Sequence, residues 1–438
     1  MNEKLNKNAG FKAAGLRMII LSMFSWAIFS FTCMNAYGVW VPAVADKVGV
    51  DFADLNMWNT YGGLVAAIAT FIAAHIVRRA GSRKTLLVTL ALCGLNFWLI
   101  PFFPTAIIGV GVALNAILQV FYGNMSTTVL MKNWYPRKNA VVMGWVTTGV
   151  AVGGIAMLPL FNNVLHSKGV IFAMAAFGIS FIIIGIIDFI FIKDEPEMLG
   201  FDPDGMPMTE EERKIHMGTK KERNPWTLKK VFTNSRMLAI SIGWGVENLA
   251  LSGALSCAIP IMISKGVAQE RAVAIAAIGS ILAIFGSVIS GIVADRIGTK
   301  RASMLFVFIQ LLSALITAFA GQGQVALVIL GYVLLVTMSG SPSNLIATSV
   351  LHLTGARFFT VAWGTIFMVI NLLRAFGSSV ISFSLKNSGG YNTALFIFSA
   401  LLVVSILLIN YAGEDYQDPG IEVEDTDEEN SAGKPDTI

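Results

Sequence analysis

Gly291-Ile292-Val293-Ala294-Asp295-Arg296-Ile297-Gly298-Thr299-Lys300-Arg301 lies between two apolar runs, 272–294 before it and 302–320 after it. Its glycine permits a tight turn and its basic residues interrupt the apolar pattern, so the stretch reads as a short polar link between two helices. A second stretch has the same layout: Ile76-Val77-Arg78-Arg79-Ala80-Gly81-Ser82-Arg83-Lys84 separates runs 59–77 and 85–103. Gly81 aligns with Gly298, and the basic pairs coincide. Farther on, Arg137 followed by Gly144 is matched by Arg357 followed by Gly364. The two registers differ by only a few residues, so the halves read as copies of one pattern.

The apolar runs that flank these links recur along the whole chain. Hydrophobic residues make up 55% of the sequence and charged residues 13%, against roughly a quarter charged in soluble domains. Lipid rather than water is therefore the main solvent. About 20 apolar residues cross a hydrocarbon core as a helix. That ruler marks spans at 18–44, 59–77, 85–103, 106–131, 140–165 and 170–192, then at 237–264, 272–294, 302–320, 325–351, 359–385 and 391–411. These are twelve spans in two sets of six, an all-α membrane protein of two pseudo-symmetric six-helix bundles. The first run is too long for a signal-peptide core and has no clear cleavage site, so it reads as a retained span.

Lys and Arg in the connecting loops orient the chain, because cytoplasmic loops keep positive charge. With the N-terminus inside, the inside loops hold Arg78, Arg79, Arg83, Lys84, Lys132, Arg137, Lys138, Arg296, Lys300, Arg301 and Arg357. The outside loops hold only Lys47, Lys168, Lys265, Arg271 and Lys386. The expected organisation is a cytoplasmic N-terminus at 1–17, a bundle at 18–192, a cytoplasmic linker at 193–236, a second bundle at 237–412 and an acidic, disordered cytoplasmic tail at 413–438. The expected location is the plasma membrane, multi-pass, with both termini cytoplasmic. Cys33, Cys93 and Cys257 each lie inside an apolar run with no paired or metal-ligand spacing, so neither a disulfide framework nor a zinc site is indicated. No basic domain supports nucleic-acid binding, no Walker-type loop supports an ATP-driven pump, and no cofactor is implied.

Residues 291–301 fit at every fixed position the G-x-x-x-D-R-x-G-x-K-R signature of the major facilitator superfamily, which the chain resembles over nearly its whole length. In the first half Ala74 replaces the leading glycine and Arg78 stands where the aspartate is expected. The resemblance implies two six-helix halves related by an axis along the membrane normal, with the binding site near mid-membrane between them. It also implies a gate at the cytoplasmic face, for which Asp295, Arg296, Arg301 and Arg83 are the candidates. Asp295 is expected to accept hydrogen bonds there from helix N-termini or basic side chains. A narrower resemblance rests on Asn133-Trp134-Tyr135-Pro136-Arg137-Lys138-Asn139-Ala140, on Gly144, Gly149 and Gly153-Gly154, and on residues 196–200 and Pro203-Asp204-Gly205. Those residues are similar to oxalate/formate antiporters and monocarboxylate transporters, which implies organic-anion substrates.

An ionisable side chain at mid-bilayer costs at least about 2.5–3.5 kcal/mol on insertion scales, so each one needs a partner or a task. Glu247 lies eleven residues past Arg236 and Arg374 seventeen past Arg357, roughly 16 and 25 Å deep at a helical rise. A guanidinium is always charged and grips a carboxylate with two parallel hydrogen bonds, which makes Arg374 the first candidate for a substrate anion. The antiporters it resembles carry a basic residue on helix eleven and a second on helix eight. Span eight here has none, which favours a monocarboxylate over a clamped dianion. The alternative for Arg374 is a structural ion pair with Glu247. Glu247 itself admits three roles: partner of Arg374, proton carrier, or contact to a substrate cation. Asp188, near the cytoplasmic end of span six, reads as interfacial.

Helices one, four, seven and ten line the cavity in the family. Their polar and aromatic residues Tyr37, Trp40, Gln119, Tyr122, Asn248 and Asn344, with Asn371 on span eleven, complete the candidate substrate-binding set. Ser339-Gly340-Ser341-Pro342 is expected to loosen span ten. The sequence thus reads as a monomeric secondary transporter of a small organic anion, most simply a monocarboxylate, by proton symport or anion exchange, and not as an enzyme. The rival readings are an exporter of a neutral or cationic compound held by Glu247, and a transporter-like receptor without flux.

Overall fold

The computed structural model describes residues 2–136, 138–206 and 228–417, and every regular element among them is helical. Arg137, the linker stretch 207–227 and the acidic residues from 418 onward lie outside the described residues, as do the side chains of His75, Arg78, Asn124, Ser343 and Arg357.

Nine described helices are long and apolar enough to cross a membrane. One of them, Val141–Phe191, contains two crossings, because Gly169 adopts φ 81°, ψ 168° and turns the chain between spans five and six. Helix Phe52–Ala80 and the shorter apolar helix Val325–Met338 supply spans two and ten, which accommodates the twelve expected crossings. Helical structure is continuous over Pro342–Arg374, through the position at which the sequence predicts a loop around Arg357.

The repeat is visible in the backbone. Gly81 has φ 86°, ψ 152° and Gly298 has φ 87°, ψ 150°, a conformation that L side chains rarely adopt. Each glycine precedes a helix whose first amides need acceptors. Asp194, just past span six, accepts from the Arg83 amide at 2.8 Å, and Glu414, just past span twelve, accepts from the Lys300 amide. An acid that follows each half therefore caps the third helix of that half, where negative charge is favoured by the helix dipole. The Arg83 side chain donates to the Phe189 carbonyl and lies 4.2 Å from the Phe189 ring centroid.

The two bundles meet at the end away from these glycines. Asn56 Nδ2 donates to the Ser378 carbonyl at 2.8 Å and to Ser382 Oγ at 3.1 Å, Asn59 Nδ2 donates to Ser378 Oγ at 2.9 Å, and Ser379 Oγ donates to Thr60 Oγ1 at 2.8 Å. Lys386 pairs with Asp54 at the rim of the same end. The bundles come close there too, where a Cβ on Gly38 would lie 2.6 Å from Pro260, and also at mid-depth, where one on Gly154 would lie only 1.8 Å from Ser280 Oγ. Small residues permit this approach where lipid offers no hydrophobic drive between helices. At the glycine end no hydrogen bond or ion pair joins the two bundles among the described residues. A Cβ on Gly144, Gly291 or Gly364 would meet nothing within 4 Å, and Asp295, Arg296 and Arg301 are exposed. The conformation is closed at one end and open at the basic end.

Candidate substrate site between the bundles

Six spans lose regular helical form in the middle of the chain's apolar stretches. Span one has a π turn at Phe31–Asn35, span four at Val120–Met125 and span five at Gly153–Met157. Their counterparts in the second half break at Cys257, at residues 339–341 and at residues 375–376. Irregular backbone at membrane depth is tolerated where it is buried in protein or lines a cavity, and π turns cluster at functional sites.

Arg374 is the last residue of its helix, immediately before the break in span eleven. Close packing holds that break in place. Ser252 Oγ on span seven donates to the Arg374 carbonyl at 3.2 Å, a Cβ on Gly377 would lie 2.6 Å from the Leu249 carbonyl, and one on Gly63 would lie 2.9 Å from Ala375. Arg374 is half-buried and lies within electrostatic range of Cys33, on the π turn of span one, and of Glu247. No described carboxylate pairs with it; the ion pairs Arg236–Asp415 and Lys386–Asp54 both lie at the surface.

Glu247 is 0% exposed, and its carboxylate is held by neighbours other than Arg374. Oε1 accepts from Gln310 Nε2 at 2.7 Å and Oε2 from Asn248 Nδ2 at 2.9 Å. The sequence offers an ion pair with Arg374 as one role for Glu247; in this conformation that contact is not made, because the side chain turns toward span nine. Gln310 escaped the sequence reading. A lone amide in the apolar run 302–320 was the signal that could have found it. Asn248 also donates to the Trp244 carbonyl at 2.9 Å. A cavity of about 30 Å³, lined by Gln310, Ser313, Thr317 and Tyr332 among apolar residues, lies within the second bundle. It has room for a water molecule beside the otherwise unpartnered Gln310 Oε1, and Arg374 does not line it.

In the first bundle a polar chain runs from the π turn inward. Thr32 Oγ1 and Tyr122 OH are 3.1 Å apart, Cys93 Sγ donates to Asn115 Oδ1 at 3.4 Å, and Asn115 Nδ2 donates to Cys33 Sγ at 3.8 Å. Tyr122 is fully buried in that chain. Trp40 and Tyr37 are also buried. Trp40 Nε1 donates to the Thr32 carbonyl at 3.0 Å, and Tyr37 OH donates to Asn56 Oδ1 at 3.1 Å within the closed end. In this conformation these three rings brace the π turn and the closed end. Gln119 is half-buried at the start of the span-four π turn. Asn371, one turn before Arg374, is half-buried as well, and its carbonyl accepts from Ala375. Asn344 is exposed toward the open end and donates to the Ser287 carbonyl at 3.0 Å and to Ser287 Oγ at 2.9 Å, tying span ten to span eight.

Two further acids have contrasting surroundings. Asp295 makes no hydrogen bond or ion pair among the described residues, because the faces it would bridge are separated at the open end. Asp188, which the sequence reads as interfacial, lies near the end of span six and is 0% exposed, since span six buries that face against span one.

Two pseudo-symmetric six-helix bundles, broken helices at mid-depth and one open end define a membrane transporter of small molecules. Residues 20–378 match the Major Facilitator Superfamily, and the chain belongs to that family. None of the curated proteins matches the chain in sequence. Among solved structures it is similar to a bacterial homologue of the human lysosomal transporter Spinster, inward-facing and occupied, with TM-score 0.67, 12% identity and coverage of 90% of this chain and 96% of that one. The nucleoside transporter NupG gives TM-score 0.69 at 12% identity over 91% and 99% of the two chains. A D-xylose-proton symporter gives 0.65 at 12% identity over 94% and 98%.

Proposed function

We propose that this transporter carries a small organic anion, most simply a monocarboxylate, between its two bundles by alternating access, driven by proton symport or anion exchange. The observation that carries this reading is Arg374: a guanidinium at a helix break between the bundles, facing the span-one π turn, with no described carboxylate paired to it. Leaving such a charge unpaired at depth is costly, and an anionic passenger supplies the missing partner. Span eight offers no second basic residue between 272 and 294, which favours a monoanion whose other end is neutral.

The basic end of the bundles faces the cytoplasm in this proposal, by the excess of Lys and Arg there, so the open conformation is inward-facing and both termini are cytoplasmic. The chain works as a monomer in the plasma membrane, with bundles at 18–192 and 237–412. Glu247 is the proton-coupling residue, and Asp295, Arg296, Arg301 and Arg83 belong to the cytoplasmic gate. Export of a cation through Glu247 is disfavoured, because both of its oxygens already accept from Gln310 and Asn248. Uptake of radiolabelled monocarboxylates into proteoliposomes, by wild type and Arg374→Ala, tests the reading. Saturable uptake that depends on Arg374 is expected; saturable uptake that survives the substitution overturns it.

A further inference from the structure

Asp188 lies three residues from the end of helix Leu158–Phe191, on the face that meets span one, and it is 0% exposed. Its Oδ2 accepts from Ser25 Oγ at 3.2 Å. Its Oδ1 is buried with no hydrogen-bond partner. Ser22, one turn back from Ser25 on the same helical face, is also 0% exposed, and its Oγ is likewise without a partner. Two oxygens that need partners therefore lie on facing helices inside a bundle, beside a carboxylate that has no described cation within 4.0 Å.

The charged groups on the surrounding elements do not fill this gap. On span one, Arg17 sits five residues before Ser22, its Nε buried and unpartnered, and forms no ion pair with Asp188; Lys12 is farther still and exposed. On span three, Arg83 is directed at the Phe189 carbonyl and ring, and Lys84 is exposed. Beyond span six, Asp194 caps the Arg83 amide, and Lys193 supplies its carbonyl to Trp134 Nε1. The charges of span eight, Asp295 and Arg296, are exposed. His166 and Lys168 lie at the far end of the helix that carries Asp188.

We propose that Asp188, Ser22 and Ser25 form a binding site for a small monovalent cation, a proton or Na⁺, within the first bundle and separate from both Arg374 and Glu247. A cation there gives the bare carboxylate oxygen its partner and neutralises the buried charge in one step. The site lies roughly 4.5 Å of helix rise from the end of that helix, at the open end of the molecule, a short path for exchange with water. Ser25 and the Phe31–Asn35 turn opposite Arg374 belong to one span, so the cation fixes span one against span six just below the passenger site.

The test uses the purified full-length protein in detergent. Its melting temperature is followed from mildly acid to mildly alkaline pH without Na⁺, and against added Na⁺ at fixed alkaline pH. A ligand that binds only the folded form raises the melting temperature. Wild type is expected to rise by several degrees in one arm, the acid arm for a proton and the Na⁺ arm for Na⁺. Asp188→Asn is expected to lose that response, and Glu270→Gln, at an exposed acid where span eight begins, to keep it. Should Asp188→Asn not fold, Ser22→Ala and Ser25→Ala are expected to shift the midpoint of the response. The proposal is overturned if wild type responds to neither cation, or if Asp188→Asn, or both serine variants, respond as wild type does.

Discussion

Arg374→Ala separates two accounts of one residue. If the guanidinium is half of a structural pair, its removal strands a buried carboxylate, and breaking such a pair costs about 3–5 kcal/mol of stability. The geometry argues otherwise. Glu247 is held by Gln310 and Asn248 at 2.7 and 2.9 Å, and no described carboxylate pairs with Arg374. Its truncation therefore removes an uncompensated charge and leaves every carboxylate contact intact. The melting temperature is expected to stay level or rise. Binding behaves in the opposite way. Truncating one side of a buried, hydrogen-bonded charge pair weakens a complex by about 2–5 kcal/mol or more, and the half-buried setting of Arg374 places it at about 2–3 kcal/mol. That is roughly a 30- to 150-fold loss in monocarboxylate affinity. Arg374→Lys keeps the charge but not the planar fork, so part of the loss remains. The assays are ligand-induced thermal shift and proteoliposome uptake on the same preparations. A variant that melts well below wild type yet still transports a carboxylate with unchanged affinity would refute the reasoning.

Three other outcomes follow from the geometry. Glu247→Gln replaces an acceptor-only group by one whose NH2 faces a donating amide, so a loss of about 1–3 kcal/mol in stability is expected, with anion exchange retained and proton-driven accumulation abolished; wild-type accumulation in a pH gradient would contradict it. Gly81→Ala forces a side chain into φ 86° with its Cβ 2.4 Å from Asp194 Oδ2, and a destabilisation of about 1–3 kcal/mol by thermal melt is expected, with Gly298→Ala paying the backbone strain alone. Cysteines at Asn59 and Ser378, whose side chains are 2.9 Å apart, are expected to react with a short bifunctional thiol reagent and to block transport by holding the closed end shut, whereas free transport after complete cross-linking would rule out alternating access at that interface.

How far the site was legible depends on whether a residue acts through its depth or through its neighbours. Depth is a sum along one helix, and it marked Arg374 and Glu247 as groups that need a task. Which group meets which is a matter of rotation and packing. Glu247 and Arg374 sit on adjacent, closely packed spans, yet a helix rotation directs the carboxylate to Gln310 on span nine. Trp40 and Tyr37 show the same limit: a ring with a polar tip suits a substrate wall and a bundle interior equally well, and only their partners, the Thr32 carbonyl and Asn56, distinguish the two. Asp194 and Glu414 were legible in principle, as the first acids after each half. Their role emerged only when the chain brought them back to the helix starts at Arg83 and Lys300.

By itself the sequence determined a membrane solvent, the twelve apolar runs, the duplication and the family signature at residues 291–301. These follow from apolar length and from glycines with basic neighbours, properties that are read along the chain one residue after another. The tertiary structure decided which end is closed, that Glu247 answers to Gln310, and that among the described residues Asp295 has no partner and Asp188 is buried with one bare oxygen. Those facts depend on how helices far apart in sequence rotate and approach, and lipid-facing and protein-facing sides of an apolar helix look alike until its neighbours are in place.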